Sequence, residues 1–148
     1  MGIALAMLAK QLHFTITVVD PLATMPDIPQ ADRILRVLDL ASLPPVAPRY
    51  VVIASRGRFD EDALEQAVAM GTHYIALVSN KKRAEEMRQS LEAKGFSAEQ
   101  LTKLRAPAGL DIGAETPEEI ALSILADIVR DWRQHLAPSR KRAKLGSV

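Results

Sequence analysis

Hydrophobic positions along the chain switch between short β-branched runs and longer stretches at helical spacing. Gly2 to His13 reads as a helix, with Ile3, Leu5, Ala6, Leu8, Ala9 and Leu12 apolar and only Lys10 and Gln11 breaking in. Thr15 to Val19 reads as a buried strand stopped by Asp20-Pro21. A proline-bearing loop runs to Gln30, followed by a short strand pattern over Arg33 to Leu38 and a helical turn over Asp39 to Leu43. Pro44, Pro45 and Pro48 make a stiff connector. Tyr50 to Ala54 is the clearest strand, and Asp60, with Glu61 and Asp62 beside it, is expected to cap a helix that ends at Gly71. Tyr74 to Val78 predicts the next strand, Lys81 to Lys94 a helix closed by Gly95, and Ser97 to Leu104 a short helix.

The last helix carries every start signal. Thr116 suits the N-cap, Pro117 the first helical position, and Glu119 the carboxylate of a capping box. It runs to about His135 with two apolar rows, Ile120, Ile124, Ile128 and Leu122, Leu125, Val129, Trp132. Only a narrow stripe of Ser123, Asp127, Arg130 and Gln134 stays polar. A helix so widely apolar is buried on more than one side, in a core or against a partner. A homodimer is expected, and in a protein-interaction scaffold the Ile120 to Trp132 helix would form the dimer or client interface.

Alternating strands and helices predict an α/β fold, a mostly parallel sheet with helices on both faces. Such sheets bind ligands beyond the carboxyl ends of their strands. Asp20, Ser55-Arg56-Gly57, Ser79-Asn80 and the Gly109-Leu110-Asp111-Ile112-Gly113 loop all fall there. Asp20 also stands where a dinucleotide-binding fold places the acid that holds a ribose hydroxyl, and a turn cap is the alternative. Gly2 would then be the last glycine of a G-x-G-x-x-G turn, and the first strand of the sheet is missing from the chain. Truncation, a strand supplied by a partner chain on dimerisation, or a rearranged sheet would each account for it, and truncation is favoured. One domain is expected over residues 1–137, followed by a basic, disordered tail over 138–148.

Composition narrows the function classes. Of the 148 residues, 48% are hydrophobic and 25% charged, which is ordinary for a globular domain. A net charge of +1 and 4% aromatic residues give no case for nucleic-acid binding or base stacking. With no cysteine, disulfides, zinc–thiolate sites and thiol catalysis are excluded. No apolar run approaches the roughly 20 residues of a membrane span, and no secretory signal is present, so a cytoplasmic protein is expected. His13, His73 and His135 show no metal spacing, so no protein-ligated metal is expected.

The candidate sites each carry a structural alternative. The Gly109–Gly113 loop could present helix amides to an anion, or could be a tight connection in which Asp111 ties down backbone amides. Arg56 and Arg58 suit phosphate or pterin oxygens, or pair with Asp60 or Glu61. Lys81, Lys82 and Arg83 crowd a helix start whose dipole is already positive, so an anionic ligand would offset them, or they form a solvated basic face.

The run from Pro107 to Ile124, PAGLDIGAETPEEIALSI, resembles the C-terminal signature of the XdhC/CoxI family, accessory proteins of xanthine and carbon monoxide dehydrogenases. The likeness covers nearly the whole chain. GIALAMLAKQLHFTITVVDP looks like the family's first helix and second strand, VVIASRGRFDEDALEQAV like its fourth strand and following helix, and YIALVSNKKRAEEMRQSLEAKGFSAEQL like the next unit. The resemblance implies a Rossmann-like fold and binding of the molybdenum cofactor. It also implies protection and delivery of that cofactor to a molybdenum hydroxylase client, with a cofactor sulfurase as a further partner. It implies no established reaction. The family's N-terminal domain and first glycine turn are absent here. Ser55-Arg56-Gly57-Arg58-Phe59-Asp60 replaces a Thr-His pair, a variant associated with the carbon monoxide dehydrogenase branch.

The expected function is therefore a maturation factor whose crevice is lined by Gly2, Asp20, Ser55, Arg56, Gly57, Ser79, Asn80, Gly109, Asp111 and Gly113. The rivals are an NAD(P)-binding oxidoreductase-like or sensing module, for which no proton donor is evident, and a non-catalytic protein-interaction scaffold.

Overall fold

Strand alternation decides what each face of the main sheet carries. In the computed structural model, which describes residues 1–45 and 48–135, β3 (Tyr50–Ile53), β4 (Tyr74–Leu77) and β5 (Leu104–Arg105) form one parallel ladder. Tyr50 lies opposite Tyr74, Ile53 opposite Leu77, and Ile75 opposite Leu104. Successive side chains point to opposite faces, so Val51, Ile53, Ile75 and Leu77 share one face and Tyr50, Val52, Tyr74 and Ala76 the other. The first is covered by α2 (Asp60–Ala69) and α3 (Lys81–Ala93) through Leu64, Ala67, Val68, Met87 and Leu91. The second is covered by α1 (Gly2–Gln11) and α5 (Pro117–His135) through Ala9, Ile124, Leu125 and Ile128. Burial on both faces is what a parallel sheet requires. The tail expected from residue 138 lies outside the described residues.

β1 (Thr17–Val19) and β2 (Arg33–Leu35) form a second parallel ladder. Asp32 fastens it to α1, accepting from Lys10 Nζ at 2.6 Å and from Ile16 N at 2.8 Å. Those bonds, Lys10 first, hold the Asp32 carboxyl below the usual carboxylate range. No ladder joins β1 to β3 among the described residues. Side chains bridge the two ladders instead, with the Phe14 and Tyr50 rings edge-on at 6.3 Å.

Two local expectations need correction. Asp60 does not cap α2. Phe59 occupies the cap, and Asp60 is the first helical residue, only 3% exposed, with its carboxylate held by Ser55 Oγ. The helix expected over Ser97 to Leu104 is a single turn, α4 (Ala98–Leu101), closed by a Ser97–Gln100 capping box, after which Leu104–Arg105 enters the sheet as β5. The polar stripe of α5 turns partly inward, an inversion of the usual order of polar outside and apolar inside. Ser123 and Asp127 are each 3% exposed, whereas Leu122 is 54% exposed.

That inversion has a physical cause on the sheet. Tyr74 Oη donates to Asp127 at 2.7 Å, and His73 Nε2 lies 2.7 Å from Asp131, which is 5% exposed. Tyr50 Oη reaches the same Asp131 carboxylate at 3.5 Å, and Arg105 lies 3.7 Å from it. A buried carboxylate needs partners, and these strand residues supply them. Two of the histidines, His73 and His135, therefore meet at Asp131 although nothing in their spacing along the chain pairs them. The start of α5 follows expectation: Glu119 N donates to Thr116 Oγ1 at 3.2 Å, and Thr116 N to Glu119 Oε2 at 3.0 Å.

Candidate functional site

The carboxyl edge of the main sheet is assembled by backbone bonds that extend its ladders. Val78 N donates to Ile53 O at 2.9 Å. Ala108 N donates to Leu77 O at 2.8 Å, so the chain leaving β5 crosses the end of β4 and carries the Gly109–Gly113 loop to that edge. Ser55-Arg56-Gly57 and Ser79-Asn80 leave β3 and β4 there. Arg56 and Gly57 both adopt positive φ, 55° and 87°, which turns the chain sharply into α2.

Ser55 organises that turn. Its Oγ accepts from Phe59 N at 3.1 Å and donates to the Asp60 carboxylate. Asn80 caps α3, its Oδ1 accepting from Arg83 N at 2.8 Å. The Arg83 guanidinium then reaches across to Asp60, ending 3.7 Å from Oδ2. The expected pairing of Arg58 with Asp60 or Glu61 is absent among the described residues. Arg58 lies over the Phe59 ring at 5.7 Å, and Glu61 pairs with Lys94 at 2.9 Å.

Two depressions open on either side of Arg83. One of about 360 Å³ is lined by Arg56, Gly57, Ser79, Asn80 and Arg83, with Val78 and Asp60 beneath. The other, about 460 Å³, is rich in acids, with Asp60, Glu61, Asp62 and Glu65 among its walls. In the smaller depression the Ser79 hydroxyl oxygen is closed to solvent and has no hydrogen-bond partner. An orphaned buried hydroxyl costs on the order of 1–3 kcal/mol.

The expected site residues thus divide. Arg56, Gly57, Ser79 and Asn80 come together around one depression, with Ser55 behind them. Asp20 makes a turn cap at the end of β1, accepting from Leu22 N at 2.9 Å. Gly2 opens α1 and lines neither depression. Gly109 packs closely against α5: a Cβ there would stand 2.3 Å from Ser123 Oγ and 3.0 Å from Ile124 N. Asp111 stands exposed, and the loop is tied down by Leu110 N donating to Ser123 O at 3.2 Å. Gly113, at φ 72°, has open space around it. Arg83 is the residue sequence reasoning placed in a general basic cluster and did not single out. The signal was its position at the third residue of the helix after a strand, next to an Asn cap.

Among the described residues, no group of three or more His, Cys, Asp or Glu side chains is placed to hold a metal, and no helix is long and apolar enough to cross a membrane.

Parallel strands buried on both faces, with loops and a helix start gathered at their carboxyl ends, define a Rossmann-type α/β domain. A family model described as the XdhC Rossmann domain matches residues 1–128, and the chain belongs to that family. An uncharacterized Escherichia coli (strain K12) protein, YqeB, is 35% identical over 81 residues, 55% of this chain and 15% of that protein. A probable xanthine dehydrogenase subunit of Bacillus subtilis (strain 168) is 26% identical over 136 residues, 87% of this chain and 39% of its own length. A crystal structure described as a xanthine dehydrogenase from Bacillus halodurans superposes with a TM-score of 0.74 at 24% identity, over 93% of this chain and 40% of that one. That likeness speaks to the fold. The chain spans well under half the length of each of these relatives.

Proposed function

We propose that this domain binds the molybdenum cofactor at the carboxyl edge of its main sheet and assists its insertion into a molybdenum hydroxylase of the xanthine or carbon monoxide dehydrogenase type. The observation that carries the reading is the family match over residues 1–128, a range that includes the β3–β4 edge and its polar depression. The relative from Bacillus subtilis, described as a probable xanthine dehydrogenase subunit, points to the same class of client.

The donor set fits such a cargo. Arg56 and Arg83 offer guanidinium forks and Asn80 an amide, and the Ser79 hydroxyl lacks a partner. The bound cofactor would bring its own molybdenum ligands and redox chemistry. The residues of this chain would bind, orient and shield it, with a cofactor sulfurase as a second partner. The NAD(P) reading draws less support, because Asp20, which would meet a ribose, caps its own turn at Leu22 N and lines neither depression.

Reconstitution tests the role. A cofactor-free hydroxylase given cofactor bound to this chain, under anaerobic conditions, should gain activity several-fold faster than with free cofactor. Equal rates would remove the insertion role.

A further inference from the structure

Arg83 is the pivot of the crevice. Its guanidinium stands between the two depressions and lines both. Its 3.7 Å approach to Asp60 exceeds a hydrogen bond, and its side chain is 37% exposed, so most of its five donors are free for another anion. Asp60 is the one acid lining the smaller depression among the described residues, and Ser55 Oγ already engages its carboxylate. The other charged groups there, Arg56 and Arg83, are both cationic.

Three further features converge on the same depression. The first turn of α3 contains no acid and carries Lys81, Lys82 and Arg83, so nothing on the helix itself balances its positive end. The Ser79 hydroxyl, immediately before the Asn80 cap, is buried and without a partner. Gly57, at φ 87°, has a left-handed backbone that any side chain would strain, and it sits beside Arg83, whose guanidinium would make an ordinary 3.6 Å contact with an added Cβ. The Gly109–Gly113 loop, by contrast, has its first glycine filled by α5 and no cation in its sequence.

We infer that the depression at the carboxyl ends of β3 and β4 is a phosphate site, in which Arg83, Arg56, the first amides of α3 and the Ser79 hydroxyl, once turned outward about its Cα–Cβ bond, bind a terminal phosphate group. The inference rests on the cofactor-binding reading and deepens it: the phosphate end of the ligand enters at Arg83, and the Gly109–Gly113 loop does not hold it. Two sources share this chemistry, the phosphate of the pterin cofactor and that of a nucleotide.

The test is a titration of the isotopically labelled chain with inorganic phosphate, followed through its backbone amide resonances. Shifts concentrated at Gly57, Ser79, Asn80, Lys81 and Lys82, with Gly109–Gly113 unmoved, are expected. Shifts centred on Gly109–Gly113, shifts scattered over surface lysines, or no saturable shift would each overturn the inference. Arg83→Gln should weaken phosphate at least tenfold. Ser79→Ala should weaken it several-fold while leaving unfolding of the free chain unchanged or slightly later, because no partner is lost in the free protein; unchanged phosphate affinity in both variants would contradict the site. ADP and the molybdenum cofactor, offered separately, then identify the source by which displaces phosphate at lower concentration. If phosphate binds here and the cofactor does not displace it, the site stands and the maturation reading falls. If the cofactor binds with these amides unmoved, the maturation reading stands and the phosphate site falls.

Discussion

Gly109→Ala should destabilise the domain by about 3 kcal/mol, combining a left-handed backbone strain of about 1–2 kcal/mol with an overpacking cost of about 1–3 kcal/mol. Both contributions have an address. Gly109 has φ 87°, and the new Cβ would meet Ser123 Oγ at 2.3 Å and the backbone of Ser123 and Ile124 at 3.0 Å. Ser123 cannot swing away freely, since it is 3% exposed and its hydroxyl donates to Ile120 O at 2.8 Å. For a domain of this size the melting midpoint should fall by roughly 6–12 °C. Gly113→Ala is the control: its φ is 72° but nothing lies within 4 Å, so only the strain of about 1–2 kcal/mol remains. Thermal unfolding of the two variants checks this, and equal losses would show that the close approach of the loop to α5 does not matter.

Asp127→Ala should cost about 2–3 kcal/mol, because it strands the Tyr74 hydroxyl in the core between α5 and the sheet. Tyr74 is 1% exposed and Asp127 3%. Tyr74→Phe removes the other half of the same bond, so the double variant should lose clearly less than the sum of the singles. Additive losses in a denaturant double-mutant cycle would mean the pair is not coupled. The same cluster sets the alkaline limit. Burial first, and then Asp127, raises the Tyr74 hydroxyl above its usual range, and burial with Asp131 pushes Tyr50 up to about 12. Below pH 10 these tyrosines are protonated in both folded and unfolded chains, so their contribution is fully present. Above pH 10 the unfolded chain ionises first, and stability falls as pH rises through 12. Tyr74→Phe should make that fall shallower.

What was legible in the sequence follows from how local each signal is. The start of α5 was readable because Thr116, Pro117 and Glu119 act on one another within a turn. The strands β3 and β4 were readable because both of their faces are covered, which leaves nearly continuous apolar runs. The buried faces of Ser123, Asp127 and Asp131 were not, because their surroundings, Tyr50, His73 and Tyr74 among them, lie far away in sequence. β5 was hidden for a similar reason: its two residues, Leu104 and Arg105, have too little pattern of their own and become a strand only by pairing with Ile75 and Ala76.

The candidate site was legible as an edge but not as a surface. Strand order alone placed Ser55, Arg56, Gly57, Ser79 and Asn80 beyond the carboxyl ends, and these residues do gather there. The same reasoning gave Gly109 a place near a ligand. Its actual neighbour is the backbone of α5, and a glycine needed for close packing looks identical in sequence to one needed for an anion. Arg83 does not stand out in the sequence from Lys81 and Lys82, which precede it with the same charge, and its reach to Asp60 separates it from them.

The central claim, that this domain holds the molybdenum cofactor, is tested most directly by thermal unfolding under anaerobic conditions with the cofactor and NAD(P) offered separately. A ligand present at about a hundred times its dissociation constant adds roughly 2.7 kcal/mol to the folded state, a rise of roughly 5–11 °C for a domain of this size. That rise is expected with the molybdenum cofactor and none with NAD(P). A rise with NAD(P) alone, or with neither ligand, would contradict it.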